Sequence, residues 1–155
     1  MKIVLRKADP DDVFELTTLF RETVSHINSR DYSEEQIKHW ISSADDIPKW
    51  EKRIKSWYFI VAESGKTIVG FAYLNDGNYF DGLFVHHKYQ GKGIATLLAD
   101  RIEKQAETNG FDSVHSDVSL TARKFFEKRG YTIEALQQKT FRGMIFENYI
   151  VSKKF

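Results

Sequence analysis

Leu83-Phe84-Val85-His86-His87-Lys88-Tyr89-Gln90-Gly91-Lys92-Gly93-Ile94-Ala95-Thr96-Leu97-Leu98, continuing to Gln105, is the stretch on which the reading of this chain turns. An apolar strand enters a polar loop, the loop enters a glycine pair, and the pair opens a helix. Gly91 and Gly93 lack a Cβ, so the backbone can turn tightly and a ligand can approach it closely. Beyond them Ile94, Leu97, Leu98, Ile102 and Gln105 keep a three-four spacing with one polar end, which predicts an amphipathic helix. The first amides of that helix have no intrahelical partner, and its positive dipole end points into the loop. Such a joint can hold an anion, phosphate above all. The same glycines would also serve an ordinary strand-turn-helix connection, so the flanking chain has to decide.

Two common phosphate loops fail. A P-loop needs Ser or Thr after its lysine, and Lys92 is followed by Gly93. The dinucleotide fingerprint needs a third glycine or alanine where this chain has Thr96, and belongs near the start of a βαβ unit. What remains is Gln90-Gly91-x-Gly93-x-Ala95, five residues beyond a strand that ends in Val85. It resembles the Arg/Gln-x-x-Gly-x-Gly/Ala acetyl-CoA motif of the GNAT (GCN5-related) N-acetyltransferases.

The flanks extend the resemblance over nearly the whole chain. Ile3 to Arg6 predicts a strand; Asp9 as N-cap and Pro10 at the first helical position predict a helix to about Ile27. Ser33 and Gln36 form a capping-box pattern before a helix over 34–42, and Pro48 opens another helix carrying Trp50 and Ile54. Three strands follow, over 57–63, 67–74 and 79–85, joined by turns at Gly65 and Gly77. Gly70, inside a strand, marks close packing or a bulge. Asn109-Gly110 closes the central helix, 113–118 alternates as a strand, and a short helix runs from a Ser119 cap to Gly130. A hairpin around Arg142-Gly143 ends the chain. Ala122, Phe125, Gly130 and Tyr131 match the family's second motif, Asn-x-x-Ala-x-x-Phe/Leu-Tyr-x-x-x-Gly-Phe/Tyr, with Ser119 for its Asn and Phe126 for its Tyr.

Composition bounds the answer. The 155 residues suffice for one domain over 1–155, and 41% hydrophobic with 29% charged residues fits a folded protein. A net charge of +1 gives no footprint for nucleic acid or a membrane surface. With no cysteine there is no disulfide, thiolate nucleophile or thiolate metal site, and a reducing cytoplasm is the favoured compartment. No signal peptide and no apolar run of membrane-spanning length is visible. No two histidines stand at a metal-site spacing backed by a carboxylate, so no metal is expected.

The resemblance implies an α/β fold: a mixed, mostly antiparallel sheet of seven strands, helices on both faces, and a V-shaped opening between the central strands for acetyl-CoA. It implies cofactor contacts from Leu83, Phe84 and Val85, from Gln90, Gly91, Lys92, Gly93, Ile94, Ala95 and Thr96, and from Ser119, Ala122, Phe125 and Phe126. An acceptor wall is expected in 28–54, with Tyr32 the candidate there and His26 a weaker one. Trp40 and Trp50 read as core. Asp81 is the candidate general base and acceptor contact; strand alternation would place it on Val85's face. Glu22, His26 and His115 stand behind it. Phe126 cannot donate a proton to a leaving thiolate; whether another tyrosine replaces it is left open, the candidates being Tyr131, Tyr32 and, ranked last, Tyr149. The expected activity is N-acetylation of a small amine or amino-acid-like acceptor. A protein or peptide acetyltransferase and a non-catalytic CoA-binding regulatory module are the alternatives, and a homodimer is left open.

Overall fold

The computed structural model describes all residues 1–155. Seven strands form one sheet: β1 (Ile3–Lys7), β2 (Tyr58–Ser64), β3 (Thr67–Asn75), β4 (Tyr79–Val85), β5 (Ser113–Ser119), β6 (Thr132–Phe141) and β7 (Met144–Lys154). Their order across the sheet is β1-β2-β3-β4-β5-β7-β6. The five helices are α1 (Val13–His26), α2 (Glu34–Ile41), α3 (Ile47–Ser56), α4 (Ile94–Thr108) and α5 (Arg123–Lys128). No helix is long and apolar enough to cross a membrane.

Most local signals hold, but α5 begins only at Arg123, with Ala122 and not Ser119 in its N-cap position. Asp9 and Asp12 make a reciprocal capping box around Pro10, although a 3-10 turn over Pro10–Asp12 precedes α1. Ser33 and Gln36 cap α2 in the same reciprocal way. Arg142 (φ 49°) and Gly143 (φ 80°) supply two successive left-handed residues, the geometry of a two-residue hairpin, between β6 and β7.

Period-two alternation divides the apolar residues between two cores. Ile60, Ala72, Leu74 and Phe80 pack with Ile94, Leu98, Ile102 and Phe126 under α4 and α5. Phe59, Val61, Phe71 and Tyr73 pack with Leu16, Phe20, Val24 and Trp50 under α1 and α3. Trp50 is fully buried, as read, with its indole N–H donating to the Ser43 carbonyl at 3.0 Å.

Two irregularities shape the sheet, and each places a glycine in close contact with a neighbouring element. The β2–β3 register shifts between Ala62 and Glu63, so Val69 and Gly70 together oppose Ala62. A Cβ on Gly70 would stand 3.1 Å from both Ile94 Cγ2 and Leu98 Cδ1, so the missing side chain lets α4 lie directly on β3. Gly70 is therefore both a bulge and a close approach. The β3–β4 register shifts between Tyr73 and Leu74, leaving Asp81 as the extra residue beside Gly82. Gly82 has the ring of Tyr73 over it: a Cβ there would meet the ring at 2.3 Å.

Gly70→Val should push α4 off β3 and destabilise the fold by about 1–3 kcal/mol, the usual range for overpacking. Urea denaturation of the variant beside wild type measures it; a change under about 0.5 kcal/mol would show that α4 is not seated on that glycine.

Candidate active site

The site exists because β4 and β5 part company. These parallel strands share one residue pair, Tyr79 with His115. Two further bonds close the same end: His115 N–H to the Asn78 carbonyl at 3.1 Å, and Ser116 Oγ to the Phe80 carbonyl at 2.6 Å. Past Phe80 the strands diverge, and a cavity of about 480 Å³ opens between 81–85 on one side and 116–119 on the other. The α1–α3 layer, α5 and the β6–β7 hairpin wall it further. Backbone groups of β4 that would have paired with β5 face this gap.

A second cavity, about 350 Å³, adjoins it through Val85, Gln90, Ala95 and Phe125 and is lined by Gly91, Gly93, Ile94 and Thr96. Gly91 (φ 72°) and Gly93 (φ 80°) adopt a backbone that L-residues rarely take, and Cβ atoms built there would stand in open space. Gly93 caps α4, so the first amides of that 15-residue helix meet the cavity without side chains in the way. Gln90 Nε2 donates to the Val85 carbonyl at 2.8 Å and ties the loop to the end of β4. Glycines, free amides and a helix N-terminus fit a pyrophosphate.

The sequence-predicted cofactor set falls on these two linings with one exception. Leu83, Phe84, Ser119, Ala122 and Phe126 line the larger cavity, and Val85, Gln90, Ala95 and Phe125 line both. Lys92 is exposed and lines neither. Ser119 Oγ accepts from the Ala122 N–H at 3.1 Å, and Asn28 Nδ2 approaches it at 3.5 Å. Asn28, buried on the opposite wall, was not read from the sequence.

Asp81 lines the larger cavity, but not on Val85's face. The bulge breaks the alternation: Phe80 and Val85 belong to the α4 core, whereas Gly82 pairs with Tyr73, which belongs to the α1–α3 core. Asp81 thus looks toward Arg53 of α3. Burial raises its carboxyl above the usual range, opposed by the charges of Arg53 and Lys139 and by Tyr79, with Asp117 adding to the rise. Tyr73, missed in the sequence, lines the same pocket; burial pushes its hydroxyl up to about 12, opposed by Arg53. A tyrosine in a buried strand is ordinarily packing, so only the bulge marks it.

Tyr32 is on the wall. Its hydroxyl donates to the Glu147 carbonyl at 2.8 Å and accepts from the Leu120 N–H at 3.0 Å. His26 is not: it is exposed and stacks on His87, ring centroids 4.0 Å apart. Tyr131 is also outside the lining; its hydroxyl donates to Glu103 Oε2 at 2.8 Å, in a network that Arg129 and Lys153 complete. Tyr149 is likewise off the wall, with Arg123 over its ring. Phe126 packs edge-on to Phe80 and Tyr131.

The end of α1 packs over the loop after β4 and brings Glu22, His86 and His87 together, which linear spacing did not reveal; their ligand-type atoms lie within 4.8 Å of one another. His86 Nδ1 accepts from the Lys88 N–H at 3.1 Å, so the neutral ring carries its proton on Nε2, the atom 3.9 Å from Glu22 Oε2. In that tautomer Nε2 offers no lone pair to an ion. Burial, then His26 and His86, lower the pKa of His87.

The family model described as an acetyltransferase (GNAT) domain matches residues 28–152. The chain belongs to the GNAT acetyltransferase family. Among its GNAT relatives is an uncharacterized N-acetyltransferase, YafP of Escherichia coli K12, 30% identical over 153 residues, which span 98% of this chain and 96% of the relative. A GCN5-related N-acetyltransferase structure from Rhodopseudomonas palustris, described as a class-II aminotransferase, superposes with a TM-score of 0.97 at 32% identity, covering 100% of this chain and 97% of the other. The PaiA N-acetyltransferase of Thermoplasma acidophilum, solved with coenzyme A, superposes at 0.83 with 23% identity over both whole chains. The expected GNAT fold, with its seven-stranded sheet, is the fold observed.

A raised carboxyl pKa makes stability fall as pH rises from the unfolded Asp value of about 3.9 through the folded value, because the unfolded chain releases its proton first. Asp81→Asn should therefore raise Tm at pH 7, by an amount that shrinks toward pH 4. Thermal melts at the two pH values measure it; an equal or lower Tm at pH 7 would mean that Arg53 and Lys139 outweigh burial.

Proposed function

We propose that this domain transfers an acetyl group from acetyl-CoA to the primary amine of a small acceptor, with Asp81 as general base. The single observation that carries the reading is the continuity of the two cavities at Val85: an anion cradle opens directly onto a half-buried carboxylate. Acetyl-CoA, when bound, supplies the thioester. Gly91, Gly93 and the first amides of α4 would hold its pyrophosphate. The free edge of β4 presents backbone N–H groups where negative charge develops on a carbonyl oxygen.

Asp81 takes the proton. A lysine-like ammonium has a pKa near ~10.4, so freeing the amine at pH 7 costs about 4–5 kcal/mol. A carboxylate with a raised pKa is a stronger base and offsets more of that cost. The nitrogen–carbon bond would form as the carbon–sulfur bond breaks, and the nitrogen's second proton would pass to the departing thiolate, whose thiol has a pKa near ~8.5 and so needs no strong acid. Phe126 is compatible with that, and no tyrosine is assigned the acid role.

A small acceptor is supported by the roof of the cavity. Gln36 Nε2 donates to the Ile145 carbonyl at 2.9 Å, Arg142 Nη1 to Ser42 Oγ at 2.8 Å, and Tyr32 to the Glu147 carbonyl. These bonds close α2 and its following turn onto the β6–β7 hairpin, where a polypeptide groove would need open sides.

Two outcomes test the proposal. CoA should raise the wild-type Tm by mass action, about 2.7 kcal/mol of stabilisation at 100-fold over Kd, and should not do so for Gly93→Val, whose side chain needs a strained φ and occupies the cradle. A folded variant stabilised as much as wild type would remove the cradle from the account. Asp81→Asn should slow turnover about 10- to 1000-fold at pH 7, with the deficit narrowing as pH nears the amine's own pKa. An undiminished rate would leave Asp81 without the assigned role.

A further inference from the structure

Arg53 is a cation without a partner in a place where the other arginines have one. Among the half-buried arginines, Arg6 pairs with Asp12 and Glu63, Arg21 with Asp45, and Arg129 with Asp100 and Glu103. Arg53 sits on the cavity wall with its guanidinium carbon 5.7, 5.5 and 5.9 Å from the ring centroids of Trp50, Trp57 and Tyr73. Its Nε is buried with no hydrogen-bond partner. Aromatic rings compensate the face of a guanidinium, but not the N–H groups on its edge. Those groups call for a planar anion, since the guanidinium fork matches a carboxylate in two parallel bonds.

The nearest acid does not fill that role. Asp81 feels the charge of Arg53, yet the two form no ion pair within 4 Å. Lys49, one turn earlier on α3, reaches the same wall. Asp117, the next acid, is paired with Lys139 and accepts from Tyr79 at 3.0 Å. Glu147, the remaining acid of the wall, is exposed. A cation seeking a carboxylate therefore stands beside a carboxylate assigned to an amine.

We propose that Arg53 is a carboxylate subsite and that the acceptor is an α-amino acid or close analogue, held by its carboxylate at Arg53 and its amine at Asp81. The two side chains line one cavity and feel each other's charge, which favours an acceptor carrying both an amine and a carboxylate over a long diamine or an amine without an acid. This assignment rests on the acetyltransferase reading for its amine half; the carboxylate half stands on Arg53 alone.

The test pairs acceptors that differ only in the acid: L-phenylalanine against phenethylamine, and L-leucine against isoamylamine, assayed by CoA release. Wild type should favour the amino acid in kcat/KM by at least about tenfold in one of the pairs. Arg53→Gln should lower that preference at least tenfold, and Arg53→Lys should restore part of it. A wild type that favours the amines without an acid, or a preference unmoved in Arg53→Gln, overturns the proposal; a general loss of rate with the preference intact would mark Arg53 as a support for Asp81. Should no amine turn over, the acetyltransferase reading fails by itself, and binding decides the subsite. With CoA present, N-acetyl-phenylalanine should then raise Tm more than N-acetyl-phenethylamine in wild type and not in Arg53→Gln. Equal shifts in wild type overturn it.

Discussion

The single pairing of Tyr79 with His115 is the constraint on which this structure depends. A parallel pair that continued to the end of β4 would satisfy its backbone groups and leave no site. Here the strands are pinned at one end by Ser116 and Phe80 and then held apart. On the β4 side the holding is done by α1: Thr23 Oγ1 donates to the Val85 carbonyl at 3.1 Å, and Phe20 packs edge-on to Phe84. On the β5 side, Tyr32 reaches across from the loop before α2 to the Leu120 amide and the Glu147 carbonyl. The gap is a built feature, with a buried hydrogen bond on the β4 bank and half-buried ones on the β5 bank.

The two bulges then aim what lines the gap. At the one formed by Val69 and Gly70, Ile94 and Leu98 touch bare backbone where a side chain would hold α4 off. Without the one at Asp81 and Gly82, the carboxylate would follow strand alternation onto the α4 face. Bulges near active sites re-aim side chains in this way. Burying Asp81 is unfavourable to the fold, and the structure tolerates it with Arg53 and Lys139 near by.

Much of this was legible in the sequence, for physical reasons that also mark where reading stopped. The glycine loop could be read because a left-handed backbone demands particular residues at fixed offsets, and Gly91 and Gly93 stand at those offsets. The caps at Asp9 and Ser33 could be read because capping is local. The face of Asp81 could not, since alternation assumes an uninterrupted ladder and the ladder is interrupted between Tyr73 and Leu74. Tyr131 closes the second motif in sequence, but its hydroxyl is drawn to Glu103 on α4, a contact 28 residues away. Arg53 and the Glu22–His86–His87 group share the same difficulty: each is defined by the helix that packs over it, and no linear spacing encodes that.

The central claim is that one continuous cleft, from the α4 N-terminus to Asp81, receives acetyl-CoA. Backbone amide shifts followed by NMR during an acetyl-CoA titration test it most directly. The account predicts that the largest shifts fall at 91–96 and along 81–85, with smaller ones near Ser119 and Ala122. Shifts confined to other surfaces, or an unmoved β4 beside a responding glycine loop, would contradict it.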